Sequence, residues 1–215
     1  MSPSSATKKA TTRRQPDETR QQLLQAAFEE IYRRGFHAAS LDKILAETQV
    51  TKGALYHHFR NKAELGYAVV EEIIKPWLRE SWQPVKDAED PIEAAIAVVQ
   101  SRFRTLTTQQ MEFGCPFHNL VTEMCASDEG FRTRLAAGLA EFREGMEREL
   151  RRGQQNGSVR ADINVEHAAA FFVAGFQGTI GVSKATRDRD LFERSVAGMI
   201  SYLETLRPAS RKAVH

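Results

Sequence analysis

The sequence predicts an all-α chain of about nine helices: an N-terminal three-helix unit with helix-turn-helix spacing, followed by a larger helical body. Three observations carry this reading. No segment shows the period-two alternation of a half-buried strand, whereas apolar residues recur at helical spacing, as in Leu24, Phe28 and Ile31. Helix start and stop signals recur along the chain, among them Asp90-Pro91, Gly114-Cys115-Pro116 and Asn156-Gly157. Near the N-terminus the second and third helices are short and separated only by the tight turn Thr48-Gln49-Val50.

Each element follows from its own signals. Residues 1–16 are rich in Ser, Thr, Lys and Arg with few apolar side chains, so a disordered arm is expected there. A first helix starts near Asp17 and stops at Gly35, which accepts the left-handed conformation beyond a helix end. Ser40 caps a second helix with Leu41, Ile44 and Leu45 facing inward. Thr51 caps a third, from Lys52 to about Phe59, with Val50 plugging the core and Ala46 and Ala54 placed where the two helices cross. Asn61 caps a long fourth helix, with Glu64 at the reciprocal capping-box position. Pro76 lies inside that helix and lacks the N–H that would bond Glu72, so a kink or break is expected at residues 72–76.

Asp90-Pro91 then opens a fifth helix running to about Thr107. Cys115-Pro116 opens a short sixth to about Ala126, and Ser127-Asp128 opens a long seventh that ends at Asn156-Gly157. The eighth spans about Val165 to Ser183. The ninth spans about Arg189 to Leu206, stopped by Pro208. The domain organisation is an arm (1–16), a three-helix unit (17–62), a helical body (63–207) and a tail (208–215).

Composition excludes several classes. The longest notable apolar run, Ala168 to Phe176, is far shorter than the roughly 18–20 residues that span a bilayer, so no membrane role is expected. No apolar signal segment opens the chain, and a cytoplasmic location is expected. Two cysteines, Cys115 and Cys125, do not make a disulfide framework. No Ser-His-Asp order, glycine-rich phosphate loop, zinc motif or paired carboxylates stand out, so neither catalytic residues nor a cofactor are expected. Net charge is only +2, yet residues 1–62 hold eleven Lys and Arg against six Asp and Glu, leaving the remainder three charges negative. A basic N-terminal unit on an acidic body hints at a polyanion partner.

The stretch Thr51-Lys52-Gly53-Ala54-Leu55-Tyr56-His57-His58-Phe59 concentrates the chemistry. Its adjacent histidines diverge by about 100° on a helix and cannot easily share one ion; metal-binding helical pairs sit at i, i+3 or i, i+4. His37, His118, His167 and His215 offer no completing ligands, and Cys115 with His118 supplies only two. The spacing instead divides the helix. Leu55 and Phe59 face inward, while Thr51, Lys52, Gly53, Tyr56 and His57 face outward as hydrogen-bonding surface for phosphates and base edges. His58 is assigned no role.

The segment "LLQAAFEEIYRRGFHAASLDKILAETQVTKGALYHHFRNKAEL" resembles the DNA-binding domain of the tetracycline-repressor (TetR) family. The resemblance rests on Gly35-Phe36, Ser40, Gly53, Tyr56-His57-His58-Phe59 and Asn61-Lys62 with Leu65, and covers about a quarter of the chain. It implies that helices one to three bind DNA, while the remainder dimerises and holds a ligand site. Carried over by position, Ser40, Thr51, Lys52, Gly53, Tyr56, His57 and Lys62 are the expected DNA contacts. The stretch "GCPFHNLVTEM" followed by "DEGFR" resembles a subgroup of the family with a Gly-Cys-Pro motif.

An effector is expected among the apolar residues of helices five to eight, with Phe103, Cys115, Phe117, His118, Val121, Phe142, Phe176 and Gln177 as ligand-binding candidates and Trp77 and Trp82 as walls. The glycines Gly175, Gly178 and Gly181 and the apolar stripe of helix nine suggest a homodimer through helices eight and nine. The resulting expectation is a ligand-released repressor of a near-palindromic operator, with recognition helices roughly 34 Å apart and the Pro76 helix transmitting the signal. Two alternatives stand beside it: a repressor sensing oxidants or electrophiles through a thiolate at Cys115, and a non-specific or activating DNA-binding protein.

Overall fold

Why helices form where they do is visible at their ends. In the computed structural model, which describes residues 16–209, all regular structure is helical. The elements are α1 (Pro16–Arg34), α2 (Leu41–Thr48), α3 (Lys52–His58), α4 (Lys62–Val69), α5 (Lys75–Ser81), α6 (Pro91–Thr105), α7 (Thr108–Phe113), α8 (Pro116–Met124), α9 (Glu129–Asn156), α10 (Val165–Thr186) and α11 (Arg189–Thr205). The expectations for residues 1–15 and 210–215 lie outside the described residues.

Most predicted caps are present. Thr51 accepts from Ala54 N–H, Asn61 from Glu64 N–H, Asp128 from Phe131 N–H, and Asp90 from both Ile92 and Glu93 N–H. Gly35 and Gly157 take the left-handed conformation, at φ 80° and 76°. Two caps differ. Ser40 occupies the N-cap of α2 but makes no side-chain cap bond. Glu64 reaches back to Arg60 N–H at 3.2 Å rather than to Asn61, so the box closes one residue early. Ala46 is exposed rather than packed between helices, whereas Val50 is buried as expected.

Pro76 neither breaks nor ends its helix. The five residues before α5, Val70–Ile74, form a π-helical turn in which Lys75 N–H bonds Val70 O, five residues back. The wider turn accommodates the missing proline donor while the helical run continues from Lys62 to Ser81. The helix α7 was not expected. It is set by a capping box in which Thr107 and Gln110 satisfy each other's backbone N–H groups.

The head, α1 to α3, packs on α4, and a single apolar core runs from Leu23, Leu24 and Leu55 in the head to Leu203 and Leu206 at the far end. Gly66 of α4 sits at the junction; a Cβ there would lie 2.6 Å from the rings of both Phe36 and Phe131. In the body, Trp82 is surrounded by Phe142, Phe176 and Phe172, with ring centroids 4.9, 5.2 and 5.4 Å away. Buried Arg207 closes the body by pairing with Asp90, Glu93 and Glu204, tying the end of α11 to the start of α6. Among the described residues no helix is long and apolar enough to cross a membrane.

Candidate nucleic-acid interface and effector cavity

The helix α3 has the predicted division. Leu55 is fully buried and Phe59, its C-cap, is 3% exposed, while Thr51, Lys52, Gly53, Tyr56 and His57 all stand at the surface. Arg20 holds the inner side from α1: its guanidinium lies 5.1 Å from the Phe59 ring centroid and pairs with Glu72 of the π turn. Thr51 uses a lone pair of its hydroxyl on Ala54 N–H at 3.2 Å, which leaves its O–H to donate outward. Nothing lies within 4 Å of where a Cβ on Gly53 would be.

Two predicted contacts are placed differently. The Lys62 ammonium donates to His37 O at 3.0 Å and lies 4.8 Å from the Phe36 ring centroid. Burial pulls its pKa down, against the opposing pull of Glu123 and Glu30. It is therefore tied to the end of α1 rather than standing clear as residues 51–57 do. Ser40 is half-buried, its N–H donating to Glu30 Oε1 at 3.3 Å and its hydroxyl free of any cap bond.

The body contains a cavity of about 510 Å³, within the range that holds small molecules. Phe103, Cys115 and Phe176 line it, as does Trp77. The other five candidates do not. Phe117 is fully buried in the core against Gly138, where a Cβ would come within 2.8 Å of its ring. Val121 is packed on the core from α8. Phe142 belongs to the Trp82 cluster and faces a second cavity of about 370 Å³ between α5 and α9, which Trp82 also lines. His118 packs against Gly181 of α10, and burial, helped by nearby Lys184, lowers its pKa. Gln177 lies outside the lining, its Oε1 buried without a partner.

The cavity also has walls the sequence reading missed. They include Tyr32 of α1, Arg102 of α6 and Ser183 of α10. A signal for Arg102 existed: it sits in an apolar helical stripe whose i±3 and i±4 positions are Val98, Val99, Thr105 and Leu106, with no acid among them. Cys115 corrects the thiolate expectation. It is buried, and burial raises its pKa against the weaker downward pull of backbone N–H bonds from His118 and Phe117 and of Arg102. Among the described residues no group of three or more His, Cys, Asp and Glu could hold a metal ion.

Beside the Arg20–Glu72 pair, polar contacts join α8 and the start of α9 to the head and to α4. Tyr32 donates to Gly114 O at 2.8 Å, beside the start of α8. Near the other end of α8, the Glu123 carboxylate accepts from the backbone N–H groups of Phe36 and His37, each at 2.8 Å. Tyr67 of α4 donates to Asp128 Oδ1 at 2.7 Å.

The last two helices leave one apolar face open. Phe171 is 60% exposed and Val182 43%, and Gly175 and Gly178 between them have nothing within 4 Å of a Cβ position. Gly198 of α11 is equally open, whereas Gly181 is occupied by His118.

Comparison with known proteins agrees with this layout. The tetracyclin repressor-like C-terminal domain matches residues 91–199, and the N-terminal domain of bacterial regulatory proteins of the tetR family matches residues 23–69. The HTH-type transcriptional repressor DhaR of Mycobacterium sp. strain GP1 is 26% identical over 80% of this chain and 85% of its own. The crystal structure of a TetR-family regulator from Cytophaga hutchinsonii superposes with a TM-score of 0.81 at 20% identity, covering 89% of this chain and 96% of that one. A structure of SmeT with triclosan superposes at 0.74 with 24% identity, covering 89% and 93%. The chain belongs to the TetR family and is a DNA-binding transcriptional regulator.

Proposed function

We propose that the protein acts as a homodimeric repressor released from a near-palindromic operator by a small molecule. In this reading α3 enters the major groove of each half-site. Lys52, Gly53, Tyr56 and His57 approach phosphates and base edges, with Thr51 and Ser40 hydroxyls on the backbone and Lys62 completing the contact from the start of α4. Two copies pair through the open face of α10 and α11, where Phe171 and Val182 lose water and the glycines allow close approach. The effector takes the 510 Å³ cavity, as triclosan takes a site in SmeT.

The observation that carries the ligand-release reading is Tyr32. It belongs to the DNA-binding head, yet it lines the body's cavity and bonds Gly114 across the junction. A ligand that favours a different Tyr32–Gly114 arrangement would shift the population of head orientations, and only its difference in affinity between the two states does the work. The redox alternative is the weaker reading, because the Cys115 thiol is buried and burial pushes its pKa up, away from thiolate.

A competition gel shift with the gene's own upstream region tests the proposal. Retention that survives excess unrelated duplex, and a complex of two chains per site, is the expected result. Retention that unrelated duplex removes, with a steep dependence on salt, would replace it with non-specific binding.

A further inference from the structure

Arg102 is out of place for a wall of an effector cavity unless the effector is charged. Among the described residues it has no carboxylate partner and no side-chain hydrogen bond; it stacks on the Trp77 ring, whose centroid is 5.0 Å from the guanidinium carbon, and lies near the Cys115 thiol. The cavity it lines is mainly apolar, with Val98, Val99, Phe103, Phe176 and Phe192 among its walls beside polar Tyr32, Gln110 and Thr179, and no acid is among them. A guanidinium cannot escape such a place by losing its proton, as a lysine would. Burial nonetheless disfavours its charge and lowers its pKa. A face-on aromatic ring offsets part of that cost and offers none of the acceptors its five N–H donors require.

A second polar group in the same lining is also unsatisfied. Ser183 is 4% exposed and its Oγ is buried without a hydrogen-bond partner. A buried helical serine or threonine can satisfy its hydroxyl on the carbonyl four residues back. Ser81, Thr186 and Ser195 bond in this way onto Trp77, Val182 and Leu191. Ser183 does not; its side chain lines the cavity, and a change of its χ1 rotamer would turn the unpartnered hydroxyl toward an occupant. Arg102 lies on α6 and Ser183 on α10, and both line the same cavity as Cys115, which feels the Arg102 charge.

We propose that the cavity takes an amphipathic organic anion, its carboxylate held by Arg102 and Ser183 and its apolar body lying over Phe103, Phe176 and Phe192. This deepens the effector reading above and rests on it only for the consequence at the operator. The charged head supplies the acceptors that the protein withholds from Arg102, and the apolar wall selects acids with a hydrocarbon body over inorganic anions.

The test is calorimetric titration of the DNA-free full chain with straight-chain carboxylates from butyrate to decanoate and with benzoate. Each acid is paired with its primary amide, and sodium phosphate serves as an inorganic control. Acids are expected to bind and matched amides not to. Arg102→Gln should weaken acid binding by about tenfold to a hundredfold and Ser183→Ala by a few-fold, the ranges for charged and neutral hydrogen bonds. Equal binding of amides, binding of phosphate as tight as of the acids, no acid binding at millimolar concentration, or unchanged acid binding by Arg102→Gln would each overturn it. Arg102→Met gives a ligand-free readout: it should raise the thermal midpoint, because an unpaired charge is removed, and a lowered midpoint would assign Arg102 a structural role instead. Operator binding is measured separately. Acids that bind without releasing operator leave the anion site standing and remove ligand release; a chain that retains no operator removes the regulator reading while calorimetry still decides the cavity.

Discussion

Gly53 costs the fold something and returns nothing within the chain. It sits in the first turn of α3 at a helical φ, so no left-handed conformation requires it, and a Cβ would meet nothing within 4 Å. A glycine in a helix is less stable than alanine by roughly 0.5–1 kcal/mol, from the greater freedom its unfolded chain loses. Gly53→Ala should therefore stabilise the free protein by up to about that amount, read as a higher urea midpoint at unchanged slope. The same methyl should hurt at the operator, where it stands between the backbone and a phosphate. Losing one charge-assisted hydrogen bond of about 1.5 kcal/mol in each of two heads gives about 3 kcal/mol, a drop of more than a hundredfold in affinity. Fluorescence anisotropy on a labelled operator duplex at fixed salt measures it. Wild-type affinity in a Gly53→Ala protein would refute the close backbone approach, and lower stability would show an intramolecular need for this glycine that the geometry does not contain.

Other consequences are equally direct. Glu123→Ala strips the acceptor from Phe36 and His37 N–H, one partly buried and one exposed, and should cost about 2–3 kcal/mol in urea unfolding, with Glu123→Gln near half of that. Phe171→Glu places a charge on the open face of α10 and should give a monomer by light scattering at micromolar concentration; an intact dimer would move the interface elsewhere. His118 has its pKa lowered, first by burial and then by Lys184, so the unfolded chain takes up its proton before the folded one does. Stability from this residue is complete above the ordinary imidazole value of about 6.5 and declines as pH falls below it; thermal midpoints of His118→Asn should lack that decline.

Helix ends were the most legible part of the chain, because a cap is a local contract between residues two or three apart. Thr51, Asp90, Asn61 and Asp128 could be read without knowing what packs on them. The Thr107–Gln110 box was equally local, but the six residues it opens are mostly polar and end at Gly114, so they read as a connection after the helix that stops near Thr107, and α7 was missed. The π turn was only half legible. Pro76 announces a defect, yet whether the chain kinks, breaks or widens depends on what holds both sides, here the Arg20–Glu72 pair and the buried Val70 and Ile74. The cavity was the least legible. Periodicity separates inside from outside but does not separate core from lining, so Phe117 and Phe142 looked as suitable as Phe103 and Phe176. The residues that did distinguish it are polar ones in apolar stripes, Arg102 and Ser183, and the one aromatic contributed by the other domain, Tyr32.

Beside the direct Tyr32–Gly114 contact, two helices connect that cavity to the head, and their mechanics differ. The run from α5 through the π turn to α4 carries Trp77 at the cavity and Lys62 at the head, but its middle is the segment whose hydrogen bonds are already widened to accommodate Pro76. A displacement at Trp77 can be absorbed there by a change of turn. The helix α8 is only nine residues, about 13 Å, without an internal defect. Its N-cap, Cys115, is a cavity wall, and Glu123 near its other end holds the backbone at the close of α1, from which the chain enters α2 and α3. A rigid lever fixed at both ends moves both or neither, so we infer that α8 is the stiffer path from effector to DNA. The two paths separate in the Glu123→Ala variant. Transmission through α8 predicts a protein that still binds operator and still binds effector but whose two affinities no longer depend on each other, whereas transmission through the Pro76 helix leaves their dependence intact.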